Sequence, residues 1–244
     1  MSLAGRGVVL TRPRDLAEPF ARLLERHGAQ PIVFPAIEIQ PLATPDGLSR
    51  LAEYDLAVFV SPSAVRVALA APAPWPPRLA AAVGAGTRRE LERAGARAII
   101  APVAGADSEA LLALPEMQRF ADKRVLIVGG EAGRELLSET LSARGAVVEH
   151  AVCYRRVKPA ADTAPLVAAW QRGEVHALVV WSSQALDNFR AMGGDELIAA
   201  LPVFVLHERI ANHARSRGAR EVVVAAASDD DLLERLVAYF DARD

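Results

Sequence analysis

Four blocks of this sequence occur twice, in the same order and at a nearly constant spacing. VVLTRPRDLAEPFARLLERHGA near the start returns as RVLIVGGEAGRELLSETLSARGA, with Gly28 in register with Gly145. VFVSPSAV returns as LVVWSSQAL (Ser61 with Ser182), and AVGAGTRRELERAGAR as VLHERIANHARSRGAR (Gly95 with Gly218). ADSEALL returns as ASDDDLL (Leu111 with Leu232). One such match is within chance. Four in register mark a duplicated unit, so the chain has to fold as two similar halves.

The repeating unit is βα. Short apolar runs, VVL (8–10), PIVF (31–34), LAVFV (56–60), AAAV (80–83), AIIA (98–101), RVLIV (124–128), VVEHAVCY (147–154), ALVVW (177–181), VFVL (203–206) and VVVA (222–225), alternate with helix-length segments. In DLAEPFARLLERHG, Phe20, Leu23 and Leu24 fall at helical spacing and Gly28 stands where a helix ends. Near-continuous apolar strands alternating with helices mean parallel sheets with right-handed crossovers. The fold class is therefore α/β.

Two boundaries between the halves suit the pattern. The simpler lies near residue 120, in EMQRFADKR. The other follows from FPAIEIQPL (34–42) and HAVCYRRVKP (150–159), which succeed the equivalent helices ending at Gly28 and Gly145 and which both run extended to a Pro. If both cross between domains, residues 1–37 and 156–244 form one discontinuous domain and residues 38–155 the other. The linker strands then lie near 35–41 and 150–157. We expect this second arrangement, because the crossings are paired. Two antiparallel crossings make a hinge, with a cleft between two similar lobes.

Composition removes several classes of function. A net charge of -2 over 244 residues argues against non-specific nucleic-acid binding. The single Cys153 allows no internal disulfide and no Cys-rich zinc site. His207 and His213 are not at the spacing of a metal pair on one helix face, and no metal is expected. No apolar run is long enough to span a bilayer, and MSLAGRGVVLTRP lacks the apolar core of a signal peptide. A cytoplasmic monomer with no membrane or nucleic-acid partner is expected.

Ligands of open parallel sheets bind at the carboxyl ends of the strands, where helices begin. Here those turns are TRPRD, VSPSAV, VGAGTRRE, VGGEAGRE, WSSQAL and LHERIA, rich in Ser, Thr and Gly, with Arg12, Arg14, Arg66, Arg88, Arg134, Arg155 and Arg209 in or near them. Helix N-termini bind anions, and glycine lets a ligand approach the backbone. Ser61, Ser63, Thr87 and Ser108 also read as plain helix caps. VGGEAG lacks the Lys-Ser/Thr of a Walker loop and does not fit GxGxxG, so it supports nucleotide binding weakly. No Ser-His-Asp order or carboxylate pair stands out. Many amide and hydroxyl donors without a cofactor signature suit a flexible polyanion.

These turns, in this order, resemble the uroporphyrinogen-III synthase family over nearly the whole chain. TRP (11–13), SPSAV (61–65), VGAGT (83–87), SEALL (108–112), RVLIVGGEAGRELL (124–137) and YRR (154–156) carry the resemblance. It implies two flavodoxin-like parallel-sheet domains joined by a two-stranded β-ladder. It also implies a lyase of tetrapyrrole biosynthesis that needs no cofactor. The substrate would be hydroxymethylbilane, a linear tetrapyrrole with eight carboxylates, open to handover from hydroxymethylbilane synthase. The product would be the ring closed with ring D inverted and water lost. The resemblance points to Tyr154 as the acid, and to Arg12, Ser61, Ser63, Gly84, Thr87, Ser108, Gly130, Arg134, Arg155, Ser182 and Ser183 as substrate contacts. Tyr154 is expected to face the interdomain cleft with its hydroxyl accessible. Arg155 and Arg156 are adjacent on a strand and are expected to point to opposite faces, so at most one of them meets substrate. Gly129, His207 and Ile210 depart from the family pattern. Two competing expectations are a cytoplasmic two-lobed sensor of an anionic small molecule and a sugar-nucleotide transferase. The second lacks the acidic pair after a strand that many such enzymes need.

Overall fold

The computed structural model of the chain describes residues 3–103, 107–131, 135–226 and 228–243. Its strands, in chain order, are β1 (Gly7–Leu10), β2 (Gln30–Val33), β3 (Glu38–Pro41), β4 (Leu56–Phe59), β5 (Ala80–Ala82), β6 (Ile99–Ile100), β7 (Arg124–Gly130), β8 (Val147–Val157), β9 (Ala177–Val180), β10 (Val203–Val205) and β11 (Val222–Val224). Each apolar run read from the sequence holds one of these strands, and β3 occupies the extended crossing FPAIEIQPL.

The chain divides into two compact units, Met1–Glu38 with Val157–Asp244, and Ile39–Arg156. The first contains a five-stranded sheet in the order β11-β10-β9-β1-β2, with parallel pairing throughout. Its core gathers Leu3, Val8, Leu10, Phe20, Leu24, Val179, Phe204, Leu236 and Phe240. Helix Arg14–Arg26 contributes Ala17, Phe20, Ala21 and Leu24 from one face and ends two residues before Gly28, whose φ of +84° closes the turn into β2.

The second unit contains a six-stranded sheet in the order β3-β8-β7-β4-β5-β6. Pairing from β8 to β6 is parallel. At the β3 edge, Leu42 N–H donates to the Cys153 carbonyl at 2.9 Å and Arg155 Nε to Gln40 Oε1 at 2.7 Å. The numbering falls on one strand as it rises on the other, which is the antiparallel sense. The chain passes from one unit to the other within β3 and returns at the end of β8. The central strands of this sheet are buried on both faces. On β4, Ala57 and Phe59 enter one core with Leu126, Val128, Leu51 and Val65, while Leu56 and Val58 enter another with Val125, Ile127, Leu111 and Leu141. This alternation is the strand period of two with helices covering both sides.

The β7–β8 ladder is regular from Arg124↔Val147 to Gly129↔Val152 and then shifts, pairing Gly130 with Tyr154. One residue, Cys153, is left without a partner opposite, a β-bulge that re-aims the side chains after it. Among the described residues, no helix is long and apolar enough to cross a membrane.

Candidate functional site

Helix starts in both units follow strand ends, as parallel sheets require. Ser61 follows β4 and begins helix Pro62–Ala70, with its Oγ accepting the Ala64 N–H at 3.1 Å and Pro62 in the first turn. Of the four residues read as possible caps, it alone caps with its side chain. Ser63 lies inside that helix, buried. Thr87 lies inside helix Ala85–Arg93, also buried, and the cap position there is held by Gly84 in extended backbone. Ser108 is the first residue of helix Ser108–Leu112, whose cap is Asp107, its Oδ1 accepting the Ala110 N–H at 2.8 Å.

A pocket of about 560 Å³ opens in the second unit at these carboxyl ends. Its wall includes Val60 after β4, Asp107 and Ser108, the end of β7 at Gly129 and Gly130, helix Leu136–Ala143 through Leu137 and Glu139, and the His150–Arg156 stretch of β8. Tyr154 is 2% exposed, and its hydroxyl lies 2.9 Å from Ser61 Oγ. The phenol expected from the sequence to meet ligand thus lies in the pocket wall, with its hydroxyl hydrogen-bonded to a serine. The ring has room because residue 130 is glycine. A Cβ there would lie 2.7 Å from Tyr154 Cε2 and 2.9 Å from Cζ. Gly130 therefore makes space for the acid candidate. The bulge serves the same end, since it sets Tyr154 rather than Cys153 across from Gly130. Cys153 donates its thiol to the Gly129 carbonyl, and burial pushes its pKa up to about 11.

Of the two arginines in YRR, Arg156 lines the pocket with Tyr154, while Arg155 turns to Gln40. The strand alternation gave one arginine to each face, and the pocket takes the second. The wall also carries residues the sequence reading missed. Asp107, Glu131, Glu135 and Glu139 line it, against Arg156 and His150. The four-residue steps from Glu131 to Glu139 were the available signal. Arg134 lies outside the described residues.

In the first unit, Arg12 follows β1. Its Nη1 donates to Asp229 Oδ2 at 2.9 Å and to the Leu16 carbonyl at 3.2 Å, and its guanidinium lies 4.2 Å from the centre of the Trp181 ring. Trp181 Nε1 donates to Asp229 Oδ1 at 3.3 Å, closing the triangle. Ser182 caps helix Ser183–Phe189 by accepting the Ala185 N–H at 3.1 Å, and Ser183 opens that helix. His207 holds the cap position of helix Glu208–Ser216, and Ile210, in that helix, is 1% exposed and packs in the core. Among the described residues, no group of three or more His, Cys, Asp or Glu is placed to hold a metal ion.

The sequence model of the uroporphyrinogen-III synthase HemD family matches residues 18–234. The chain belongs to the uroporphyrinogen-III synthase family. It is 36% identical over 242 residues to the uroporphyrinogen-III synthase of Salmonella typhimurium, covering 93% of this chain and 98% of that one. It is 34% identical over 244 residues to the enzyme of Escherichia coli, with 93% and 98% covered. A crystal structure of a mutant uroporphyrinogen III synthase from Thermus thermophilus superposes with a TM-score of 0.59 at 20% identity, covering 98% of this chain and 100% of that one. The Helicobacter pylori uroporphyrinogen-III synthetase superposes at 0.60 with 15% identity, covering 96% and 99%. These two likenesses speak for the fold alone; the family match favours an enzyme over a sensor or a nucleotide-sugar transferase.

Proposed function

We propose that the chain closes hydroxymethylbilane to uroporphyrinogen III, with loss of water and inversion of ring D, and that Tyr154 is the acid. Family membership supports the reaction. The observation that carries the site is Tyr154, a phenol set in the pocket wall over a glycine and hydrogen-bonded to Ser61. Loss of the hydroxymethyl oxygen as water needs a proton at that oxygen and leaves a conjugated cation on the terminal ring. Negative charge on Asp107, Glu131, Glu135 and Glu139 around the pocket favours such a cation. The same charge repels carboxylates. The reacting end of the substrate therefore belongs in this pocket, beside Arg156, and most of its eight carboxylates belong outside it. Arg12, Ser182 and Ser183, at the strand ends of the first unit, are proposed carboxylate contacts. Strands β3 and β8, where the chain passes between its two units, are the proposed hinge. The reading carries a cytoplasmic monomer that takes its substrate from hydroxymethylbilane synthase.

The enzyme's work is selective as much as accelerating, because the linear substrate closes unaided to the type I isomer. The test is to incubate the purified protein with hydroxymethylbilane, without added metal or nucleotide, and to measure the isomer ratio. Type III product supports the proposal. Type I alone, at the uncatalysed rate, overturns it.

A further inference from the structure

Ser61 makes two hydrogen bonds, and its place at a helix start requires only one. Its Oγ accepts the Ala64 N–H at 3.1 Å and lies 2.9 Å from Tyr154 Oη. The duplication supplies a comparison within the same chain. Ser182 holds the matching place after β9 and accepts the Ala185 N–H at 3.1 Å. By the register of Gly28 with Gly145, the residue matching Tyr154 is Ile37, which has no hydroxyl. Capping the helix is therefore complete without a phenol, and the bond to Tyr154 is something the second unit adds.

The proton count decides what that bond can do. A serine hydroxyl has one proton and two lone pairs, and the Ala64 N–H occupies one lone pair. If Tyr154 donates to Ser61, the phenolic proton is committed and cannot pass to substrate. If Ser61 donates to Tyr154, the phenol keeps its proton, and the serine O–H points at the oxygen that becomes anionic once that proton leaves. We propose that Ser61 is the positioning residue of Tyr154: it donates to the phenol oxygen, fixes its orientation and stabilises the phenolate. This inference rests on the hydroxymethylbilane reading above. The step balances. Tyr154 gives its proton to the hydroxymethyl oxygen as the C–O bond breaks, and the bonding pair leaves with water, so a cation remains on carbon. The proton lost from the pyrrole carbon at ring closure returns to the phenolate. Water is the only species released besides the ring-closed product.

The test compares Ser61→Gly, Ser61→Ala and Ser61→Thr in the full chain, following type III formation under steady-state conditions. Losing a hydrogen bond to a charged group predicts a fall in kcat of about 10- to 100-fold for the Gly and Ala variants, with KM holding. Threonine keeps both the cap and the donor and restores most of kcat. Glycine at a cap position costs a helix only a few tenths of a kcal/mol. The unfolding midpoint of Ser61→Gly therefore separates lost folding from lost function. Placed on top of Tyr154→Phe, Ser61→Gly has no further effect on kcat. Independent effects of the two substitutions, or a rise in KM at unchanged kcat, overturn the inference, the latter by making Ser61 a substrate contact. Type I product from the wild-type chain overturns the underlying reading instead.

Discussion

Gly130→Ala is the sharpest test of the site's construction. The added Cβ would meet Tyr154 Cε2 at 2.7 Å, Cζ at 2.9 Å and Cδ2 at 3.2 Å. Carbon atoms rest about 3.5 to 4.0 Å apart, so the ring has to retreat by about 1 Å. Residue 130 has no positive φ, so the alanine backbone is unstrained and the whole effect is steric. Retreat of the ring breaks the 2.9 Å contact between Tyr154 Oη and Ser61 Oγ. Overpacking of this kind costs about 1–3 kcal/mol of stability. A catalytic group displaced by about 1 Å loses about 100-fold in rate. The expected variant is folded, somewhat less stable, and about 100-fold slower in forming type III product, with more type I from unaided closure. Urea unfolding measures the first effect, and a kinetic assay with isomer separation the second. The double variant Gly130→Ala with Tyr154→Phe should be no slower than Tyr154→Phe alone. Wild-type turnover from Gly130→Ala would refute the argument that the glycine exists to seat the ring.

Tyr154→Phe should lower turnover by about 100- to 10,000-fold, the contribution of a positioned acid, with little loss of stability; turnover at the wild-type rate removes the acid role. Arg12→Ala should raise KM more than it lowers kcat, because its guanidinium, held over Trp181 by Asp229, is proposed to meet a substrate carboxylate rather than the reacting carbon. A fall in kcat at unchanged KM would refute that. Stability should decline as pH falls below 6.5. His176 is held below that ordinary value by burial first and by the charge of Arg6 second, and its Nδ1 accepts the Gly7 N–H at 2.9 Å. The unfolded chain then takes up the proton first, so in that window it binds more protons than the folded chain and acid favours unfolding. Urea midpoints for the wild type and His176→Gln, compared above and below pH 6.5, should show the smaller loss in the variant.

The strands were legible because burial on both faces leaves a run of apolar residues that few other structures need, as with Leu56 to Phe59 on β4. Ser61 was legible as a cap because capping is local, three residues from oxygen to amide, but the same local signal also pointed to Ser63, Thr87 and Ser108, which lie inside their helices. The role of Gly130 was not. GG within VGGEAG looks like a phosphate loop, and the ring that needs the space arrives from Tyr154 on the next strand of the sheet. Nor was the bulge at Cys153, since it is a property of the β7–β8 pairing rather than of either strand. That bulge decides which side chain of β8 lies over Gly130. Alternation alone could say only that Arg155 and Arg156 part company. The triangle of Arg12, Trp181 and Asp229 joins residues from three distant turns, and only the fold brings them together.

Set in register, the two halves carry different side chains at matching places on one βα scaffold. Arg12 and Pro13 match Gly129 and Gly130, Ser182 matches Ser61, and Ile37 matches Tyr154. In the second unit Gly130 clears the end of β7, and the next strand brings a phenol into the space, with the capping serine as its partner. In the first unit the same turn carries a guanidinium and a proline, and the residue after β9 is a tryptophan on which the guanidinium rests. Isoleucine at 37 gives that half no phenol at the place matching Tyr154. A fixed cation is what it offers instead. This division fits a substrate that is a polyanion along most of its length and a cation in formation at one end. It also explains why kcat should answer to Ser61, Gly130 and Tyr154, and KM to Arg12.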